Sequence, residues 1–343
     1  VCIMLSVSSQ TASSPNDQDG QKLESIHSLL SQSYELTQKE KHDEALPLAE
    51  EALAITRGLS GSQDQALSSC FYQLAIVYAG KGDQPRAEDL YKQSIKLAEE
   101  SVDEGMIAAA SQGLADLYFK QKANGIAKPL YERALAIWEK LGGEDYQGAI
   151  SARNCLSQIC LAEENFDSAE RFVRRAIMSV EKTLGMEHDD VARFLFTLSK
   201  ILIKQRKYEL AVKEIAHFKR ILQSSKSVEA QSHLEGAFGY LSTVCSDQGN
   251  YELAIALAQQ AIEESEKAGR SAYPDLVMRW SQLAKTYEAS GDYEKAEVAY
   301  KHTLSLTEQT LGPNHPYTAS ELNNLAGMYD RKLEYDKSEP IYL

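Results

Sequence analysis

The chain has 343 residues, of which 43% are hydrophobic and 25% are charged, and its formal net charge is −14 at pH 7. This apolar content is sufficient for a packed core and argues against extended disorder. The acidic excess disfavours general binding to nucleic acid or to anionic membranes, since both carry negative charge. No apolar stretch approaches the roughly 20 residues that span a bilayer. We therefore expect no nucleic-acid partner and no membrane span.

Residues 1–24 precede the first regular pattern and combine a short apolar run with a Ser-rich polar stretch. We interpret them either as a disordered tail or, over residues 1–12, as the remnant of a secretory signal with a small-residue site near Ala12. No basic residue precedes the apolar run, whereas a secretory signal normally begins with a basic region. A cytoplasmic protein is therefore our first expectation, and an exported protein is the alternative.

From residue 25 onward, small residues recur at nearly constant spacing, with separations of 42, 40, 42, 42, 43, 42 and 42 residues. We call them the crossing residues: they are Ala45, Ala87, Ala127, Ala169, Ala211, Ala254, Ala296 and Ser338. Nine residues before each of them stands a Tyr, Leu or Cys, and four residues earlier stands a Leu in most copies. A regular period of this length indicates an internal repeat and a solenoid of stacked units.

The copy at residues 283–304 displays the repeating unit most clearly. Apolar residues recur at helical spacing up to Tyr287, and they do so again after Asp292. Gly291 suits the left-handed conformation that ends a helix, and Asp292 can accept from the free N–H groups that begin the next one. The small Ala296 allows the two helices to cross closely. Each unit is therefore predicted to be a helical hairpin.

This spacing of Leu, a small residue and Tyr, followed by Ala and a further large residue, resembles the tetratricopeptide repeat. The connectors LGMEHDDVA at 184–192 and LGPNHPYTA at 311–319 resemble the L-G-x-x-H-P-x-x-A of the kinesin light chain subfamily, whose repeat has 42 residues. The resemblance implies an all-α fold, a right-handed superhelical solenoid of antiparallel helix pairs. Residues 25–343 would hold seven full repeats and a truncated eighth.

Animal kinesin light chains also carry a heptad coiled coil ahead of the array, and through it they hold the motor heavy chain. No heptad run precedes residue 25 in this sequence. The resemblance therefore describes the style of the repeat, and we do not infer motor attachment from it.

The resemblance also implies that the first helices of the repeats line a concave groove for an extended peptide or a helical partner. The inward positions lie two residues before and two after each repeat leucine. They are Tyr72, Ile76, Gln112, Asp116, Asn154, Gln158, Phe196, Lys200, Gly239, Thr243, Ser281, Lys285 and Asn323. Asn and Gln can bond a peptide backbone, and an aromatic residue can hold one side chain. The alternative is that polar residues merely line a wet groove.

The fifth repeat carries a concentration of positive charge. Residues 193–220 contain eight basic and two acidic side chains. Within them Arg193, Phe196, Lys200 and Lys204 follow one helix face at i, i+3, i+7 and i+11. This set, which we call the basic lane, predicts a protein or peptide partner that is acidic and bears an apolar anchor. The alternative is that these charges offset acids on neighbouring second helices.

Catalytic and metal-binding motifs are absent from the sequence. The cysteines are Cys2, Cys70, Cys155, Cys160 and Cys245, and they lack the paired spacing of a metal site. We expect buried free thiols. His188 and His315 lie in equivalent connectors, where we expect them to begin the next helix. Carboxylates on second helices, such as Glu264, are expected to be solvated.

These observations predict a protein with no catalytic, cofactor-binding or metal-binding residues. The leading hypothesis is a non-enzymatic protein-interaction scaffold that binds a peptide or helical partner in its groove. The alternative is that the array is the recognition or regulatory region of a larger multidomain enzyme or signalling protein.

Overall fold

The computed structural model describes residues 17–60, 63–224, 228–267 and 275–343. Within these ranges every regular element is an α-helix, as the all-α prediction requires. The helices fall into two compact units, unit 1 (Val1–Thr183) and unit 2 (Leu184–Leu343). Unit 1 contains α1 (Asp17–Gln38), α2 (His42–Thr56), α3 (Asp64–Lys81), α4 (Gln84–Glu100), α5 (Glu104–Lys120), α6 (Asn124–Gly142), α7 (Gln147–Ala162) and α8 (Phe166–Leu184). Unit 2 contains α9 (Asp189–Lys204), α10 (Tyr208–Ser224), α11 (Val228–Asp247), α12 (Tyr251–Lys267), α13 (Asp275–Ala289), α14 (Tyr293–Leu311), α15 (Pro316–Arg331) and α16 (Tyr335–Tyr342).

Helix α1 begins at Asp17, so residues 17–24, which the sequence pattern assigns to the N-terminal segment, are helical. Its first two turns are held by the residues that follow α2: Lys22 Nζ donates to the Gly58 carbonyl at 3.1 Å, and Ser60 Oγ donates to Asp19. These bonds give the early turns of α1 partners that the repeat pattern does not reveal. The proposed signal remnant at residues 1–12 lies outside the described residues.

The crossing residues lie where the two helices of each repeat meet, and all eight are 3% exposed or less. On the first helix of each repeat, a second small residue that is fully buried stands twelve positions before the crossing residue. These partners are Ser33, Ala75, Ala115, Ser157, Ser199, Ser242, Ala284 and Ala326. In the first, fourth and sixth repeats the serine hydroxyl donates to the carbonyl of the crossing alanine, at 2.8, 2.9 and 2.7 Å. Small residues on both helices allow this close approach, which confirms the predicted hairpin register.

A left-handed residue stands five positions before every crossing residue, at the turn between the two helices. These residues are Glu40, Gly82, Lys122, Glu164, Arg206, Gly249, Gly291 and Leu333, with φ from +58° to +83°. In all eight repeats the next N–H donates to the carbonyl of the Tyr, Leu or Cys that stands nine residues before the crossing residue, at 2.8–3.0 Å. This bond closes the first helix and fixes where the second begins. The left-handed role predicted for Gly291 is confirmed.

The helices of each repeat pack on one another, and each second helix packs on the first helix of the next repeat within its unit. First helices also contact each other directly, α1 with α3 and α3 with α5 in unit 1, and α9 with α11 and α11 with α13 in unit 2. Each unit therefore presents one face made of first helices.

The two histidine connectors work as predicted. His188 Nδ1 accepts from the backbone N–H of Asp190 at 3.1 Å, at the start of α9. His315 Nδ1 accepts from the N–H of Tyr317 at 3.2 Å, at the start of α15. Both imidazoles satisfy a helix N–H that would otherwise have no partner.

The prediction that Glu264 is solvated is wrong, because the Glu264 side chain is only 5% exposed. Gln223 Nε2 donates to its carboxylate at 3.2 Å, and the ammonium groups of Lys219 and Lys267 lie 3.7 and 3.3 Å away. Glu264 is on the side of α12 that faces α10 of the preceding repeat. The neighbouring Glu263 remains half exposed.

Cys70, Cys160 and Cys245 are buried free thiols, as predicted, and Cys155 is half-buried; Cys2 lies outside the described residues. Burial raises the pKa of the Cys70 thiol to about 11 and that of Cys245 to about 12. Both thiols are therefore protonated and unreactive at neutral pH. Across the described ranges, metal-binding clusters of His, Cys, Asp and Glu are absent. None of the helices in those ranges combines the length and the apolar character that crossing a membrane requires.

Candidate functional site

A groove of about 750 Å³ opens on the first-helix face of unit 1. We call it the unit 1 groove. Residues of α1, α3, α5 and α7 line it, including the predicted inward residues Tyr72, Ile76, Gln112 and Asp116. On α7 the lining comes from earlier residues, such as Ser151, and not from Asn154 or Gln158. The latter two are half-buried, and the enclosed Asn154 Oδ1 has no hydrogen-bond donor among the described residues.

Two aromatic side chains from second helices also reach the unit 1 groove. Tyr91 comes from α4 and Trp138 from α6, and both form part of the lining. They pass over glycines of the first helices: a Cβ at Gly113 would lie 2.5 Å from Tyr91 Cε1, and a Cβ at Gly148 would lie 2.6 Å from Trp138 Nε1. Real side chains do not make contacts this short. The two glycines therefore admit the aromatic rings to the groove.

Gln112 is held in a hydrogen-bonded chain. Trp138 Nε1 donates to Gln112 Oε1 at 3.0 Å, and Gln112 Nε2 donates to Ser151 Oγ at 3.1 Å. Because an indole N–H only donates, the atom that it meets must be the amide oxygen. One lone pair and one N–H of the Gln112 amide remain for a ligand. The predicted backbone-binding amide is thus present in the groove and has a fixed orientation.

Asp116 places a carboxylate in the same groove. Tyr131 OH donates to Asp116 Oδ1 at 2.5 Å. Burial raises the pKa of Asp116, while the hydrogen bond from Tyr131 and the charge of Lys120 oppose that rise. Burial also raises the pKa of Tyr72 and Tyr91, and the Asp116 charge adds to both shifts. The carboxylate therefore lies within electrostatic range of three tyrosines.

No basic side chain in the described ranges is within ion-pair distance of Asp116. Lys120, one turn further along α5, is exposed and interacts with it only at longer range. The unit 1 groove consequently combines an unpaired carboxylate with several aromatic rings. Such a combination can attract a positively charged group.

In unit 2 the structure brings Phe196 and Lys200 of the basic lane together and adds Tyr240 of α11. The Lys200 ammonium lies 5.4 Å from the centre of the Phe196 ring and 4.6 Å from that of Tyr240. The two rings meet edge to face with their centres 5.8 Å apart. Phe196 is half-buried and Tyr240 is 45% exposed. The cluster therefore offers both an aromatic surface and a positive charge.

The other members of the basic lane are less closely grouped. Arg193 is exposed and pairs with Asp190 at 3.5 Å, and its guanidinium lies 4.9 Å from the centre of the Phe194 ring. Lys204 is half-buried. Among the described carboxylates, none lies within ion-pair distance of Lys200 or Lys204. These two lysines keep an uncompensated charge.

Part of the local positive charge does offset acids, as the alternative interpretation proposes. Lys219 lies 3.7 Å from Glu264, and Arg220 lies 3.3 Å from Glu187. Both basic residues belong to the second helix α10, whereas Lys200 and Lys204 belong to the first helix α9. Compensation is therefore observed for α10, and the lysines of α9 remain available.

The remaining predicted site residues lie apart from these clusters. Lys285 of α13 and Asn323 of α15 are exposed, and neither forms an ion pair or side-chain hydrogen bond with another described residue. On the same face, the guanidinium of Arg279 packs against Gly239, where a Cβ would lie 2.2 Å from an Arg279 terminal nitrogen. Arg279 thus places a positive charge against α11, at the residue that precedes Tyr240 in sequence.

Sequence reasoning missed Tyr91 and Trp138 because it assigned groove positions to first helices only. It missed Tyr240 of the first helix α11 because the positions counted from the repeat leucine do not include it. The available signal was glycine in the interior of a predicted helix, as at Gly113. Such a glycine costs about 0.5–1 kcal/mol relative to alanine and often marks a close approach of another group.

Comparisons with known proteins agree with this architecture. A sequence profile described as tetratricopeptide repeat matches residues 25–100, 106–182, 232–309 and 277–343. The Arabidopsis thaliana protein KINESIN LIGHT CHAIN-RELATED 3 is 23% identical over 300 residues, which cover 86% of this chain and 45% of that protein. The chain thus spans less than half the length of this relative.

Two solved structures share the fold. BtubC (BKLC) from P. vanneervenii is 20% identical with a TM-score of 0.51, over 62% of this chain and 92% of that one. A Rap protein complexed with Competence and Sporulation Factor is 14% identical with a TM-score of 0.50, over 96% of both chains. The repeat-by-repeat register and the profile match, which extends over more than half of the sequence, lead to one conclusion: this chain belongs to the tetratricopeptide repeat family, with repeats similar to those of kinesin light chain-related proteins.

Proposed function

We propose that this protein is a non-enzymatic interaction scaffold whose basic lane in unit 2 binds an acidic peptide with an apolar anchor. The observation that carries the proposal is the position of Lys200, whose ammonium lies over the rings of Phe196 and Tyr240 without a carboxylate partner. An aromatic anchor from the peptide would pack beside these rings, and its acidic groups would meet the lysine charges.

The charge of the whole chain strengthens this interpretation. In a protein with a net charge of −14, a lysine has many acidic side chains available as partners. Lys219 and Arg220 of α10 have such partners at 3.7 and 3.3 Å, whereas Lys200 and Lys204 of α9 do not. An uncompensated positive strip in an acidic protein gives selectivity for acidic ligands, because the surrounding charge repels acidic groups elsewhere.

The fold is compatible with this role, since repeat arrays use extended surfaces to bind partners. The Rap protein named above was solved as a complex with Competence and Sporulation Factor. The alternative hypothesis, in which this array is the recognition region of a larger protein, would use the same lane for the same purpose.

The test is a fluorescence-polarisation assay with labelled peptides that contain one aromatic residue among glutamates, compared with peptides in which glutamine replaces glutamate. We expect the acidic peptides to bind more tightly and their affinity to fall as salt rises. The variant Lys200→Glu should weaken binding by about tenfold or more.

Lys213→Glu is the matched control, because it makes the same charge change at an exposed residue of the second helix α10. It should change the affinity much less than Lys200→Glu. An equal loss of affinity in the two variants would show that only the net charge of the protein matters. Binding that changes neither with salt nor with Lys200→Glu would refute the basic lane as the site.

A further inference from the structure

We propose that the unit 1 groove binds a cationic side chain of a partner peptide, with its guanidinium or ammonium on Asp116 and its stem against Tyr72 and Tyr91. This site lies in a different unit from the basic lane and takes a ligand group of the opposite charge. It therefore extends the proposed function and does not depend on it.

The first support is the carboxylate itself. An ionised carboxylate has about four acceptor positions, and in the described structure Asp116 uses one of them, for the hydroxyl of Tyr131 at 2.5 Å. Its remaining acceptor capacity has no basic partner within ion-pair distance. A guanidinium could occupy two of these positions with parallel N–H donors.

The second support is the aromatic lining. The rings of Tyr72 and Tyr91 have centres 6.1 Å apart and are tilted by 59°, and both belong to the lining together with Asp116. Aromatic ring faces attract cations within about 6 Å, with a larger effect where water is excluded. The stem of a lysine or arginine can pack on the same rings. The site thus matches both parts of a long basic side chain.

The third support is the unfavourable surroundings of this acid within the fold. Burial opposes the ionisation of Asp116 and raises its pKa. An asparagine of the same size would accept the bond from Tyr131 without that desolvation penalty. A half-buried acid with a perturbed pKa in a cleft is a candidate for function. A bound cation would stabilise the ionised form of Asp116 and so offset the loss of hydration that burial causes.

The other charged or titratable groups of the lining do not reverse this preference. They are Tyr34, Glu40 and His42 at one end, Lys120 at the end of α5, and Tyr146 just before α7. Glu40 and Lys120 carry opposite charges and are both exposed. Solvent therefore screens both charges more than it screens the interactions within the groove.

The experiment uses the indole N–H of Trp138 as a local reporter, since it lies in the groove lining and donates to Gln112 one turn before Asp116. The chain has two tryptophans, so a spectrum of isotope-labelled indoles gives two resonances that Trp138→Phe assigns. The probe is a blocked peptide of alternating arginine and glycine. Its partner is the same peptide with neutral citrulline in place of arginine.

We expect the arginine peptide to shift the Trp138 resonance with an affinity at least about tenfold above that of the citrulline peptide. The Trp280 resonance should stay in place. Asp116→Asn should abolish the preference for arginine over citrulline, and Asp116→Glu should keep part of it. Thermal unfolding of both variants checks that they are folded.

Lys200→Glu separates this inference from the proposed function. It should lower the affinity for the acidic peptide and leave the Trp138 titration with the arginine peptide unchanged. Conversely, Asp116→Asn should leave acidic-peptide binding unchanged. Equal shifts by the arginine and citrulline peptides, or an arginine preference that survives in folded Asp116→Asn, would overturn the assignment.

Discussion

The ring of Tyr91 lies directly against the backbone of Gly113, so close that a Cβ at residue 113 would stand 2.5 Å from Tyr91 Cε1. Gly113 is in the interior of α5, where every residue type except proline would favour the helix more. Tyr91 is 4% exposed and cannot swing freely into solvent. This contact is therefore a fixed part of the wall of the unit 1 groove.

Gly113→Ala should destabilise the protein by about 1–3 kcal/mol, because the added methyl group forces a buried ring to move. It should also lower the affinity for the arginine peptide, because the displaced ring lines the groove. Urea denaturation and the Trp138 titration measure the two effects.

Gly327→Ala is the control for this prediction. Gly327 is also in a first helix, and a Cβ there would lie no closer than 3.6 Å to another side chain. The change should be neutral or stabilise by about 0.5–1 kcal/mol. A Gly113→Ala variant as stable as Gly327→Ala would contradict the role of the Gly113 contact.

Asp116 should make the stability of the fold depend on pH. Its pKa is raised by burial, so the folded protein holds this proton more tightly than the unfolded chain, in which the pKa is about 3.9. The favourable contribution is complete below that unfolded value and disappears as pH rises through the folded pKa. Groups around the carboxylate are Tyr131, Tyr72, Tyr91 and Lys120, and none of the tyrosines ionises in this range.

Asp116→Asn should therefore remove this loss of stability with rising pH, and the variant should be at least as stable as the natural protein at pH 7. Urea denaturation of both proteins from pH 4 to pH 7 provides the test, with the difference between them isolating this group from other titrations. An Asn variant that is markedly less stable at pH 7 would mean that the ionised carboxylate stabilises the fold.

The turns provide a third prediction, since equivalent left-handed positions hold glycine in some repeats and other residues elsewhere. Lys122 has φ +61° and Gly82 has φ +82°. A residue with a Cβ pays about 1–2 kcal/mol in this conformation. Lys122→Gly should stabilise the fold by about 0.5–1 kcal/mol after the larger entropy of an unfolded glycine is subtracted.

The reverse change at the preceding turn, Gly82→Ala, should destabilise the fold by about 1–2 kcal/mol although open space surrounds the added Cβ. Thermal and urea unfolding of the two variants give the sign of the stability change that each substitution causes. Changes of the same sign in both would be incompatible with left-handed strain as the cause.

Glu264 and Glu263 form a pair of adjacent acids with different surroundings. Glu264→Ala should destabilise the protein by about 1–3 kcal/mol, because it removes the partner of the half-buried Lys219 and of Gln223. Glu263→Ala should stay within about 0.5 kcal/mol, since the Glu263 side chain is 55% exposed. Similar unfolding midpoints for the two variants would disprove the burial of Glu264.

Local features were predictable because they depend on residues close in sequence. The crossing alanines, the left-handed Gly291 and the starting role of His188 each follow from a spacing of a few residues. The groove lining depends instead on two glycines, Gly113 and Gly148, whose lack of a side chain leaves room for aromatic rings from other helices. Tyr91 and Trp138 reach the first-helix face only because glycines leave space for them, and a rule based on counting from the repeat leucine cannot register an absent side chain.

Glu264 was mispredicted for a different reason. Its position on a second helix suggests exposure, but its partners Lys219 and Gln223 are more than 40 residues earlier, in the preceding repeat. Only the packing of one repeat on the next brings these groups together. The concentration of basic residues in the fifth repeat was predictable from the sequence. Only the structure shows that the basic residues Lys219 and Arg220 of α10 have carboxylate partners, whereas Lys200 and Lys204 of α9 do not.

The hydrogen bond that closes each turn has a consequence for how such a gene can change length. It joins two residues of the same hairpin in all eight repeats, so every copy brings its own closure with it. Recombination between any two equivalent points would insert or remove a whole hairpin without breaking a turn. Relatives should consequently differ by complete repeats, while an insertion of a few residues inside a turn would be selected against.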